Sequence, residues 1–154
     1  MRRSRDSYMM ALAQEAAKQT TCIRRGVGCV LTDAKGFILA VAYNGVATGM
    51  SHCNAQVIFA DGTQYSGVCK DSSKAGCEAV HAEQNALLQC HDVQKVHTAY
   101  VTRSPCRNCT KLLLNTSCTE VVYADTHSDI TAKLLWEKSG RKWTHLPDNQ
   151  GELF

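Results

Sequence analysis

Within residues 7–19, apolar side chains fall at Tyr8, Met9, Leu12, Ala13, Ala16 and Ala17, spacings that collect them on one face of a helix. Good helix formers lie between, so the stretch predicts an amphipathic helix packed on a sheet. Residues 27–32 and 37–43 are β-rich runs separated by Asp33-Ala34-Lys35-Gly36, whose aspartate and glycine suit a tight reversal, and a β-hairpin is predicted. Residues 44–76 show no sustained period beyond an apolar patch at Val57-Ile58-Phe59. A loop of that length inside a compact domain is functional or held by something. From residue 78 the period alternates: helices are predicted at 79–89, 106–115 and 129–139, the last with Ser128 as N-cap and Gly140 beyond its end, and strands at 98–102, 120–124 and 142–145. Such alternation after a hairpin predicts an α/β fold of three layers, a mixed five-stranded sheet with helices on both faces.

Composition narrows the class. A chain of 154 residues suits one domain, 1–154, with a full hydrophobic core and is short for two. An apolar fraction of 44% with 20% charged residues is ordinary for a soluble protein, and no apolar run approaches a membrane span. The start, Met1-Arg2-Arg3-Ser4-Arg5-Asp6, is basic but leads into no apolar signal region, so a cytoplasmic protein without a membrane partner is expected. The net charge of +3 is mild and, apart from the N-terminal arginines and Arg24-Arg25, scattered. That argues against a nucleic-acid-binding stripe, while suiting attraction of a small phosphorylated substrate. Nine cysteines are the anomaly. Without a targeting segment, metal ligation and buried thiols explain them better than disulfides do.

The chemistry concentrates in His81-Ala82-Glu83 and Pro105-Cys106-Arg107-Asn108-Cys109. One histidine and two cysteines give a tetrahedral zinc three protein ligands and leave the fourth position open, as a catalytic zinc requires. His81 and Cys106 both fall where a helix begins, so helix N-termini help hold the cysteines as thiolates, and the x-x spacing lets both sulfurs meet one ion. Such an ion makes water nucleophilic at neutral pH. Glu83, displaced around the helix from His81, is placed to move that water's protons rather than to share the metal. The H-x-E…P-C-x-x-C pattern is the signature of zinc-dependent nucleobase deaminases.

The chain resembles the cytidine deaminase superfamily, and within it the deoxycytidylate deaminases of phage type. Beside the two metal motifs, the resemblance is carried by Arg25-Gly26-Val27-Gly28-Cys29-Val30-Leu31, by Ala42-Tyr43-Asn44-Gly45-Val46-Ala47-Thr48-Gly49, by His81-Ala82-Glu83-Gln84-Asn85-Ala86, and by Tyr100-Val101-Thr102-Arg103-Ser104-Pro105-Cys106. It implies conversion of dCMP to dUMP for thymidylate synthesis, a homo-hexamer, and activation by dCTP with inhibition by dTTP, assisted by magnesium. It places Asn44 against the substrate sugar and phosphate, the Ala82 backbone against the base carbonyl, and Ser104-Pro105 as a wall of the base pocket. Arg24 and Arg25 become candidates for phosphate contact, because an arginine fork matches phosphate geometry. Tyr43, Asn44, Gly45 and Gly49 become effector contacts. The chain departs from the family pattern at Ala42, where glycine is usual, and at Ala47, where proline is usual. His127 stands where relatives carry an aromatic residue near the base, and an imidazole suits either stacking there or bonding a phosphate.

Of the remaining cysteines, Cys29, Cys90 and Cys118 lie in or beside apolar elements and read as small buried hydrophobes. Cys22, Cys53, Cys69 and Cys77 fall in loops or at element ends, and the expectation is that they bind a second, structural zinc, with His52 in reserve, making 44–77 an effector and metal segment. Two alternatives stay open at this point. One is a deaminase of another cytosine substrate, namely dCTP, cytidine or a polynucleotide. The other is a non-enzymatic binding module stapled by zinc, in which Glu83 is dispensable.

Overall fold

A computed structural model describes residues 2–22, 25–50, 52, 56–58, 60–66 and 78–147. Its first helix, α1, spans Arg5–Ala17, with the Ser4 hydroxyl accepting from the Ser7 N–H at 3.2 Å as N-cap. β1 (Gly28–Thr32) and β2 (Ile38–Tyr43) form the expected antiparallel hairpin. In its turn, the Asp33 carboxylate accepts from the Lys35 and Phe37 N–H groups, and Gly36 takes φ +86°, a conformation open to glycine at no steric cost. The segment after the hairpin is not structureless: β3 (Gln56–Ile58) and β4 (Gln64–Ser66) pair as a separate two-stranded sheet. Three-residue strands are too short to give a readable alternation, which is why the pattern reads as loop.

α2 (Ala82–Gln89), β5 (Thr98–Arg103), α3 (Arg107–Leu114), β6 (Glu120–Asp125), α4 (Thr131–Lys138) and β7 (Lys142–His145) follow. The main sheet has the order β2-β1-β5-β6-β7, with β1 antiparallel to β2 and β5, and β5, β6 and β7 parallel. This is the mixed five-stranded sheet expected from the alternation. Alternate residues feed two cores. Val30, Tyr100, Val122 and Ala124 meet Met9, Met10 and Ala13 of α1. Leu31, Ala99, Val101 and Val121 meet Ala82 and Ala86 of α2, Leu113 of α3 and Trp136 of α4. The layers are therefore α1, the sheet, and the other three helices.

Two helices start two or three residues later than expected, while α1 lies two residues earlier than expected and β5 and β6 each run one residue further. α2 begins at Ala82 rather than residue 79, because Val80 exchanges backbone bonds with Gly45 in an isolated antiparallel bridge (2.7 and 3.1 Å) and stays extended. α4 begins at Thr131, and its first turn is tied by Asp129, whose carboxylate accepts from the Thr131 N–H at 2.9 Å, rather than by Ser128. The residues before it are drawn away by His127, whose N–H donates to Ser104 Oγ at 2.6 Å. Close layer contact also fixes one glycine: a Cβ on Gly28 would lie 1.8 Å from the Ala13 carbonyl oxygen, so α1 reaches β1 only over a bare backbone.

Candidate metal centre and active site

Local backbone geometry builds the site at two helix starts. His81 and Cys106 are the N-caps of α2 and α3, both extended (ψ 154° and 168°), so each side chain projects at the positive end of a helix. Cys109 lies one turn into α3 and is fully buried. The Pro105-Cys106 link leaves the carboxyl end of β5, the end at which ligands bind in open α/β sheets.

The three side chains converge, with ligand atoms all within 4.8 Å of one another, and among the described residues this is the one such group. His81 Nδ1 faces both sulfurs, at 3.6 Å from Cys106 Sγ and 3.3 Å from Cys109 Sγ. A tetrahedral zinc with ordinary Zn–S and Zn–N bonds sets its nitrogen and sulfur ligands about 3.5 Å apart. The donor set and its spacing therefore fit zinc, with Nδ1 as the histidine ligand. The Cys109 thiol donates to Cys106, which, helped by His81, holds the Cys106 sulfur as a thiolate, down to about 3. That same bond, and then burial, push Cys109 up, and the Cys106 sulfur in turn raises His81. A dication drawn to the thiolate would displace the remaining thiol proton.

Glu83 lies beside this group and is buried at 4% exposure. Burial raises its carboxyl to about 7, so it exchanges a proton near neutrality, as a general acid and base must. Behind it lies the fully buried Cys29, its thiol pushed up by burial and then by the Glu83 charge. Ala82 and Pro105 are fully buried, and Ser104 is buried beside Pro105 at the end of β5. His127 is half-buried; its Nδ1 accepts from the Asp129 N–H at 3.0 Å, so the neutral ring carries its proton on Nε2. Burial and the nearby Arg103 charge lower its pKa and favour that neutral form.

Asn44 is buried at 8% exposure and committed to the backbone around it. Its Oδ1 accepts from Val27 N–H and Thr20 Oγ1, both at 2.8 Å, and its Nδ2 donates to the Arg25 carbonyl at 2.9 Å. One N–H remains as its only free polar function. Tyr43, half exposed, accepts from Asn85 Nδ2 through its carbonyl, Gly45 is held by the Val80 bridge, and Gly49 takes φ +85° in an exposed turn. Arg25 is exposed, while Arg24 lies outside the described residues. Of the expected second zinc set, Cys53, Cys69 and Cys77 also lie outside them; Cys22 is half-buried and His52 exposed.

Gln84, to which the sequence motifs assign no role, caps the start of α2. Its Oε1 accepts from the His81 N–H at 2.9 Å. The signal was present, since a glutamine three residues after an N-cap is half of a capping box, but a helix started at residue 79 hides it.

Cytidine and deoxycytidylate deaminase zinc-binding region is the family description matched by residues 3–125, and the chain belongs to that family. Among curated relatives, the deoxycytidylate deaminase of Mycobacterium phage D29 is 37% identical over 120 residues, covering 77% of this chain and 92% of the relative. The deoxycytidylate deaminase of Saccharomyces cerevisiae is 34% identical over 132 residues, covering 82% of this chain, which spans 39% of that longer protein. In fold the chain is similar to the dCMP deaminase of cyanophage S-TIM5 solved with dCMP and dUMP (TM-score 0.73, 22% identity, 95% of this chain and 99% of that one). No helix among the described residues is long and apolar enough to cross a membrane.

Proposed function

We propose that the chain is a zinc-dependent deaminase that converts dCMP to dUMP, supplying dUMP for thymidylate synthesis. The observation that carries this reading is the set of three ligand atoms at tetrahedral spacing with a buried carboxyl two residues from one of them. His81, Cys106 and Cys109 hold the ion, which when bound supplies a Lewis-acidic centre that makes water nucleophilic at neutral pH. Glu83 takes one proton from the attacking water and delivers it to ring nitrogen 3, then takes the second proton from the hydroxyl of the tetrahedral adduct and delivers it to the amine, which leaves as ammonia while the new C=O forms. The Ala82 backbone meets the base carbonyl, Ser104 and Pro105 wall the base, and the remaining Asn44 N–H meets the sugar. Arg24 and Arg25 take the phosphate, and His127 offers a neutral Nε2–H beside the base. dCMP is favoured because the relatives named above are deoxycytidylate deaminases and the basic residues form no extended stripe for a polynucleotide.

Regulation belongs to the same reading: dCTP activates and dTTP inhibits, each with magnesium, at Tyr43, Asn44, Gly45 and Gly49 of a homo-hexamer, while Cys22, Cys53, Cys69 and Cys77 hold a structural zinc. The test is ammonia release from dCMP, dCTP, cytidine and single-stranded DNA, with and without dTTP plus magnesium. dCMP is expected to be turned over fastest and to be inhibited by dTTP. Were dCMP the poorest of the four, the substrate assignment would be wrong. Metal analysis giving two zinc ions per chain is expected, and one per chain in fully active protein removes the structural site.

A further inference from the structure

We infer that Gln84 is a positioning residue for the metal: through the backbone of His81 it sets where Nδ1 stands, and so how tightly the site holds zinc. The inference rests on the zinc reading of the site and concerns a residue outside the ligand set.

The geometry is local. As N-cap of α2, His81 lies outside the helical hydrogen-bond ladder on its N–H side, and that N–H finds its partner in Gln84 Oε1 at 2.9 Å. On its other side, the His81 carbonyl accepts from the Asn85 N–H at 2.9 Å and starts the helix. The residue before it is held as well, by the Gly45–Val80 bridge. Gln84 thus closes the one free face of a backbone unit already pinned on both flanks.

Position at this residue matters more than for most histidine ligands because Nδ1, not Nε2, faces the two sulfurs. Nδ1 is one bond nearer the backbone, so ring rotation absorbs less of any displacement of the N-cap. His81 is exposed, so the packing that immobilises Cys109, which is fully buried, does not reach it. Its local constraints are the two contacts of the capping box with Gln84, of which the side-chain acceptor on the His81 N–H is the one that a substitution at Gln84 removes. Groups that orient a ligand without touching the metal ordinarily change affinity about 10- to 100-fold.

Gln84→Met and Gln84→Glu separate this role from helix stability. All three residues have nearly equal helix propensity and similar length, but methionine lacks a strong acceptor whereas glutamate keeps one. Metal-free protein is titrated with cobalt(II), and bound zinc is then competed with a chromophoric chelator. The parent and Gln84→Glu are expected to show the same tetrahedral cobalt spectrum and zinc affinities within a fewfold of each other. Gln84→Met is expected to bind zinc about tenfold more weakly, with altered cobalt bands. A Gln84→Met protein with parental zinc affinity and cobalt spectrum overturns the inference while leaving the metal site intact. A parent that takes up neither cobalt nor zinc overturns the zinc reading and this inference together.

Discussion

Replacing Asn44 by alanine tests whether this residue organises the site before it ever meets a ligand. The substitution removes three hydrogen bonds at once, from Val27 N–H, from Thr20 Oγ1 and to the Arg25 carbonyl, at a position only 8% exposed. A typical intramolecular hydrogen bond contributes about 1 kcal/mol net, so the three together set a loss of about 3 kcal/mol. Thr20 Oγ1 retains the Asn44 carbonyl as an alternative acceptor at 2.8 Å, which trims the loss toward about 2 kcal/mol, since one of the three donors is then still satisfied. Asn44→Asp keeps both acceptor contacts but turns the donor facing the Arg25 carbonyl into an acceptor, so it is expected to lose about 1 kcal/mol or more. The assay is urea unfolding of the substrate-free protein at one fixed protein and zinc concentration, so that ligand and assembly linkage are held constant. A midpoint shift worth less than about 0.5 kcal/mol for Asn44→Ala would refute the reasoning, because surface substitutions already fall within that range.

On the proposed mechanism, in which the carboxyl moves protons and is no ligand, Glu83→Gln is expected to lower kcat for dCMP by about 10²- to 10⁴-fold while metal analysis still finds zinc at the His81, Cys106 and Cys109 site. Gly28→Ala drives a Cβ to 1.8 Å from the Ala13 carbonyl oxygen, and lifting α1 off β1 should cost about 3 kcal/mol, read as a lower urea midpoint. His127 titrates in the opposite sense to a histidine with a carboxylate partner: its pKa is lowered, so the folded chain binds its proton less readily than the unfolded chain. Its contribution to stability is therefore present above the unfolded value of about 6.5 and lost as the pH falls through the lower folded value. Thermal unfolding between pH 7.5 and 5 should fall less steeply for His127→Gln than for the parent, and parallel curves would contradict the assignment.

What was legible in the chain was what repeats locally. The helices bury one face, which writes its period into the sequence over a few turns, while β1, β5 and β6 are buried on both faces and read as short β-rich runs bounded by turn residues. The convergence of the candidate metal ligands was legible for a related reason: the two thiols come from one helical turn, so their spacing is fixed by helix geometry and needs no knowledge of the fold. Apart from β3 and β4, whose three residues each are too few to show a period, the failures are non-local. Val80 is apolar and follows the helical pattern of α2, yet Gly45, far away in sequence, takes its backbone and keeps it extended. Ser128 is a good N-cap by type, yet His127 bonds Ser104 just past the end of β5, the N-cap falls on Ile130, and Asp129 ties the first turn.

The same distinction bears on how the site works. The ligand atoms are specified by short motifs, but their placement depends on contacts that cross the sheet. The Gly45–Val80 bridge and the Asn85 bond to the Tyr43 carbonyl tie the start of α2 to the end of β2, and Asn44 ties the end of β2 to the lead into β1. His81 therefore sits at the end of a backbone path that begins at Asn44. The start of α2 is also seated in the core by Ala82 and Ala86, as α3 is by Leu113. The two halves of the candidate metal site thus share one core, and the His81 half has in addition its tie to the end of β2.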